Sequence, residues 1–303
     1  MPADNACVTI PGPWTHRLVR ASGAQFHVAL RGEITEGQPL LLFVHGFPEY
    51  WYAWRHQLPA FDSLPVAAMD LRGAGGSDRT RQSFDGPTLA RDITGVVRSL
   101  GATSAILVGH GHGAGLSWAA AALEPSLVRG LVTLSAPHPV DTYRLGFHVT
   151  FRTWRHSLTA FVPTLAEKAI QREDVIFRLL TEFSAPGNTG ASSQAEVYSQ
   201  AMALPNAAHC QIDQLRWSWR SPRSITGRYF LEQIEAPLDI PVLTIRGALD
   251  PLLPDRAWAK TGSHITGPYQ HIVIPEAGHF PHEEAPERVT GLITRYLAAH
   301  HGI

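Results

Sequence analysis

Residues 108–114 read Val-Gly-His-Gly-His-Gly-Ala, and the spacing of their glycines restricts the fold more than any other stretch of the chain. An apolar run at 105–108 precedes them and a helical pattern at 113–123 follows. A strand that turns this abruptly into a helix needs small residues beside the bend, so that helix and strand can pack closely. The residue in the middle of such an elbow is forced into a strained backbone conformation that lifts its side chain above the sheet. Here that residue is Gly111, which has no side chain to lift. Alternating glycines alone are ambiguous, because a glycine-rich strand–turn–helix can also cradle a phosphate. The remaining motifs decide between the two.

Short apolar runs alternate with helical patterns around this elbow, the rhythm of βαβ units on a mostly parallel sheet. Residues 25–30 alternate like an antiparallel strand, and 39–44 (PLLLFV), 65–70 (PVAAMD), 105–108 and 131–134 predict further strands. Helices are expected at 88–100, stopping at Gly101, and at 113–123. From 137 to 222 the chain becomes aromatic, arginine-rich and helical in period, with a Gly/Ser/Asn-rich interruption at 184–193. The first rhythm then returns: a strand at 241–245, a helix at 254–260, a strand at 271–274 and a final helix at 285–299. The expected organisation is a sheet core in two pieces, 1–136 and 223–303, separated by a helical cap at 137–222.

Two predicted strand ends supply chemistry. Thr-Ile-Arg-Gly-Ala-Leu-Asp at 244–250 puts Asp250 in the loop after one strand, and Ala-Gly-His-Phe-Pro at 277–281 puts His279 after another. Ligands of open α/β sheets bind at that carboxyl edge. Elbow, acid, then histidine is the chain order of a hydrolase triad on such a sheet. Asp250 would fix one tautomer of His279 and stabilise its protonated form. The loop His-Gly-Phe-Pro-Glu at 45–49 follows the 39–44 strand. Its Phe47 N–H, with that of His112, would make an oxyanion hole, and Phe47–Pro48 is a candidate cis bond. The His112 imidazole, Trp51 and Trp54, with Trp154, Trp217 and Trp219, are expected to line an aromatic pocket. Histidines 110, 112, 279 and 282 suggest a metal, but no carboxylate or cysteine in these motifs completes a cage, so no metal or cofactor is expected.

A net charge of −1 over 303 residues leaves no basic footprint for nucleic acid. The two cysteines, Cys7 and Cys210, make neither a disulfide framework nor a CxxC pair. Residues 1–13 lack the apolar core of a secretory signal, and no apolar run approaches the ~18 residues of a membrane span. A cytoplasmic location is expected. Sequence does not fix the oligomeric state.

The run HGFPEYWYAWR at 45–55, the loop 70–78 and Gly278-His279-Phe280 resemble epoxide hydrolases of the α/β-hydrolase superfamily. The resemblance implies the α/β-hydrolase fold: a mostly parallel sheet flanked by helices, with an inserted helical cap. Such enzymes open the epoxide with an elbow Asp, and the resulting ester is hydrolysed by His-activated water. Haloalkane and fluoroacetate dehalogenases share the plan, and esterase-like relatives carry Ser. Two cap tyrosines usually hydrogen-bond the epoxide oxygen. Leu215 stands where one is expected, and the other's segment, 154–163, has His156 as its nearest candidate.

Gly111 cannot form a covalent intermediate. Three readings follow. In the first, His279 and Asp250 act as a general-base dyad, by direct water attack on an epoxide or ester or by proton abstraction. In the second, the chain is a non-catalytic binder of small molecules. In the third, it is an ordinary epoxide hydrolase or serine esterase whose nucleophile was replaced. Each points to a mostly apolar or aromatic small molecule.

Overall fold

The computed structural model describes residues 5–80, 83–144 and 164–303. The apolar run at 39–44 becomes β3 (Leu40–Val44), buried on both faces. Leu41 and Phe43 enter one apolar cluster, while Leu40, Leu42 and Val44 enter the cluster on the opposite side. A strand covered twice has no polar face, which is why it reads as an unbroken hydrophobic string. Around it lie β1 (Thr15–Ala21), β2 (Ala24–Arg31), β4 (Val66–Met69), β5 (Ala105–His110), β6 (Val128–Leu134), β7 (Val242–Gly247) and β8 (Tyr269–Ile274). They form an eight-stranded sheet in the order β1-β2-β4-β3-β5-β6-β7-β8. Pairing is antiparallel at β1–β2 and β2–β4 and parallel from β4 to β8.

Helix α1 (Gly86–Ser99) starts slightly earlier than its periodicity predicts, because Asp85 caps it by accepting from Thr88 N–H at 2.9 Å. Helix α2 (Gly111–Leu123) springs directly from β5. Between β6 and β7 the described residues form the helices α3 (Pro139–Arg144), α4 (Leu165–Ala169), α5 (Glu173–Phe183), α6 (Ala195–Ala203), α7 (Ala207–Arg220) and α8 (Ile225–Gln233). The chain closes with α9 (Pro281–Glu284) and α10 (Pro286–His301).

Two expectations are corrected. The 254–260 segment is not an α-helix: it makes only the 3-10 turn Asp255–Ala257, and a second such turn, Thr261–His264, follows it. Trp258 N–H donates to the Asp255 carbonyl at 3.0 Å and Thr261 N–H to the Trp258 carbonyl at 3.2 Å, so the chain closes three-residue turns instead of α-helical ones. Strand β1 was not anticipated, since an edge strand with mostly exposed side chains lacks a marked apolar pattern. Among the described residues, no helix is long and apolar enough to cross a membrane.

Candidate active site

The bend between β5 and α2 puts Gly111 at φ +51°, in the left-handed region. Gly113 is required for a different reason: a Cβ there would run into the His45 carbonyl oxygen, so the helix can approach the β3 loop only without one. At Gly111 there is room. A Cβ would meet only His279 Nε2 at 3.6 Å and Gly46 Cα at 3.9 Å, which are ordinary contacts.

Above this bend lies a cavity of about 400 Å³. Its floor comes from the carboxyl ends of five strands: Phe47 after β3, Gly111 after β5, Ser135 after β6, Leu252 after β7 and His279 after β8. Its upper wall comes from the helices between β6 and β7, including Leu179, Phe183, Leu215 and Trp217. Among the described residues the lining holds no Asp, Glu, Lys, Arg or Tyr.

His279 and Asp250 meet as their strand-end positions predict, with Nδ1 2.9 Å from Asp250 Oδ2. A carboxylate only accepts, so Nδ1 carries the proton. The second oxygen, Oδ1, accepts from Leu252 N–H at 2.8 Å. The turn bearing His279 is fixed by Glu284, which sequence reasoning missed. Its Oε1 accepts from Phe280 N–H (2.8 Å), and its Oε2 from Gly278 N–H (2.8 Å) and Ala185 N–H (2.7 Å). The His279 N–H itself donates to the Phe183 carbonyl at 2.8 Å. The turn is thus tied to the end of α5, and the helices over the cavity share hydrogen bonds with the histidine beneath it.

Behind His279 is a fully buried cluster. His110 Nε2 lies 2.8 Å from the His279 carbonyl, and its Nδ1 lies 2.8 Å from Glu49 Oε2. Both neighbours only accept, so the ring carries both protons. Burial alone would push the His110 pKa down, but the charge and hydrogen bond of Glu49, together with the bond to the His279 carbonyl and the Asp250 charge, raise it on balance. Burial would likewise push the Glu49 carboxyl up, yet His110 and His282 hold it well below the usual carboxylate range. His282 Nε2 is 3.1 Å from Glu49 Oε1, and burial lowers its own pKa to about 4. The expectation that no carboxylate joins these histidines is therefore corrected: Glu49, His110 and His282 offer ligand atoms within 4.8 Å of one another. A cation there would have to displace the His110 proton that Glu49 already holds. The sequence did contain the signal, as the last residue of His-Gly-Phe-Pro-Glu.

Phe47, His112 and Leu215 line the cavity, as do Trp217 and Trp219. Burial lowers the His112 pKa to about 4, so the ring is neutral near pH 7. The Phe47–Pro48 bond is cis. His156 and Trp154 lie outside the described residues. Trp51 and Trp54 are corrected: neither touches the cavity, and both are fully buried in the core. Trp51 donates its indole N–H to the Val8 carbonyl at 2.7 Å, and Trp54 packs on Phe43 and His282 at centroid distances of 4.8 and 4.5 Å. The 3-10 turn Trp51–Trp54 places both rings in the apolar cluster that also holds Phe43.

This sheet, with acid and histidine at the carboxyl ends of its last two strands and an elbow at β5, defines an α/β hydrolase. A family profile described as the alpha/beta hydrolase fold matches residues 39–286, and the chain belongs to that family. Within it, the chain is epoxide-hydrolase-like. It is 29% identical to Epoxide hydrolase 4 of Mus musculus over 96% of this chain and 82% of that protein. It is 27% identical to Epoxide hydrolase A of Mycobacterium tuberculosis, over 94% and 98% of the two chains. The solved epoxide hydrolase from an endophytic Streptomyces superposes with a TM-score of 0.72 at 26% identity, covering 95% and 96%.

Proposed function

We propose that this chain is a hydrolase of the epoxide-hydrolase type that works without a covalent intermediate on a mostly apolar small molecule. The observation that carries this reading is the His279–Asp250 pair at 2.9 Å, with His279 Nε2 facing open space 3.6 Å from where a Gly111 side chain would begin. A poised base is what a pure binding protein does not need. Residues 137–222 act as a cap that keeps bulk water out, and the backbone N–H groups of Phe47 and His112 serve as the oxyanion hole.

Water in the Gly111 space gives its proton to His279 Nε2 as its oxygen attacks the epoxide carbon. The ring C–O bond breaks, its electron pair stays on the leaving oxygen, and the oxyanion donors hold that charge. His279 then returns the proton to the oxygen, yielding a diol. With an activated ester, the same water attacks the carbonyl carbon and the alcohol leaves. Asp250 stabilises the imidazolium between the two transfers. No cofactor takes part.

The test is turnover of a panel of epoxides and activated esters by the protein and by His279→Ala. Turnover lost in the variant supports the dyad. Equal turnover in both proteins overturns it. The rival reading, a binder that keeps the pocket, is favoured by Gly111 itself, and it predicts no turnover and undiminished ligand affinity in His279→Ala. Activity that appears only in Gly111→Asp or Gly111→Ser identifies a chain that lost an ordinary nucleophile.

A further inference from the structure

We propose that the space over Gly111 is a carboxylate subsite, so that the cavity takes an apolar molecule carrying its own carboxylate. The inference rests on the reading of this cavity as the ligand site. A carboxylate held there takes the place of the attacking water and blocks His279 Nε2, so a molecule bound this way is a ligand of the cavity that the proposed hydrolysis does not consume.

Four observations converge. Gly111 opens a helix of 13 residues whose first turn holds no acidic side chain and whose N-cap, His110, makes no side-chain cap bond. The free N–H groups and positive dipole end of such a helix attract an anion. Second, His279 is only 8% exposed, and no described residue hydrogen-bonds its Nε2, which faces the same space. Third, the Ser135 hydroxyl, buried at the end of the neighbouring strand, has no hydrogen-bond partner among the described residues. Gly111 and Ser135 directly follow His110 and Leu134, which are paired in the β5–β6 register, so both sit at one point of the sheet edge. Fourth, the lining among the described residues includes no Asp or Glu, so none of them offers a carboxylate to the helix end.

A carboxylate placed there accepts from the helix N-terminus, from Ser135 Oγ–H and from His279 Nε2–H, in the space left by the absent side chain. His279 then holds two protons, one toward Asp250 and one toward the ligand, as an imidazolium between two carboxylates does. The ligand body extends beneath Leu179, Leu215 and Trp217. A neutral head group would leave the helix end unbalanced, so the subsite selects for charge as well as shape.

The experiment is calorimetric titration of the protein with 4-phenylbutanoate and with its neutral counterpart 4-phenylbutanamide, repeated on Gly111→Asp. The acid is expected to bind at least tenfold more tightly than the amide. In Gly111→Asp a side-chain carboxylate fills the subsite, and the preference should vanish. Equal affinities, no binding of the acid, or a preference that survives Gly111→Asp each overturns the proposal. Should Gly111→Asp not fold, a crystal structure with the acid decides: a carboxylate within hydrogen-bonding distance of His279 Nε2 supports the subsite, and one bound elsewhere refutes it. Acid binding without any turnover sinks the dyad reading while leaving the subsite standing. Epoxide turnover without acid preference does the reverse.

Discussion

Removing the Glu284 carboxylate tests how the His279 turn is held. In Glu284→Ala three backbone N–H groups lose their acceptor at once: Gly278 and Phe280, on either side of His279, and Ala185 just after α5. A hydrogen bond to a charged acceptor contributes roughly 1.5–3 kcal/mol when water cannot replace it. Glu284 is half-buried, so water reaches part of the gap, although Gly278, Phe280 and Ala185 are themselves buried. Taking about 1 kcal/mol for each bond, the variant should lose about 3 kcal/mol of stability. Glu284→Gln keeps one acceptor oxygen and turns the other into a donor facing a donor, so it should fall between the two. Urea unfolding followed by tryptophan fluorescence measures the loss, and native-state amide exchange locates it, with protection dropping first at 278, 280 and 185. A Glu284→Ala protein within 1 kcal/mol of the parent, or one whose exchange is unchanged at those amides, would refute the reasoning.

Three further outcomes follow from the same structure. Burial holds His112 and His282 near pKa 4, below their ordinary 6.5, so each stays neutral in the fold while the unfolded chain takes up its proton. The stability they contribute is complete above pH 6.5 and is lost as the pH falls toward 4, at about 1.4 kcal/mol per pH unit for each. His110, with its pKa raised, is charged in both states there and adds little to the slope. His112→Asn should remove one proton from this acid dependence, and an unchanged slope in urea titrations between pH 6.5 and 5 would count against it. Trp54→Ala should cost about 3–5 kcal/mol as a core truncation without altering which ligand sizes are accepted. Leu215→Trp should exclude the larger ligands at little cost in stability. A size preference that changed in Trp54→Ala, read by calorimetry across an acid series, would return that tryptophan to the pocket.

The parallel core was legible because its strands are covered on both sides. Doubly buried strands such as 39–44 must be apolar at every residue, and the glycines of 109–113 can serve few backbone shapes. The same local logic placed Asp250 and His279 at strand ends, where chain order already implied that they meet. What stayed hidden depended on direction. Trp51 and Trp54 lie in a motif of the right kind, but whether such rings enter the core cluster or line the cavity is decided by packing, and nothing in the composition encodes that. Glu49 was visible as part of His-Gly-Phe-Pro-Glu, yet its place between His110 and His282 joins residues 61 positions apart or more, beyond any local pattern. Glu284 precedes the helix expected at 285–299, and no local pattern marked it before folding brought three separate N–H groups to it. By itself the sequence determined the sheet, the elbow and the absence of a side chain at 111. Tertiary structure alone decided that the emptied elbow stays open, because only the approach of His279 and Gly46 sets how much room remains above it.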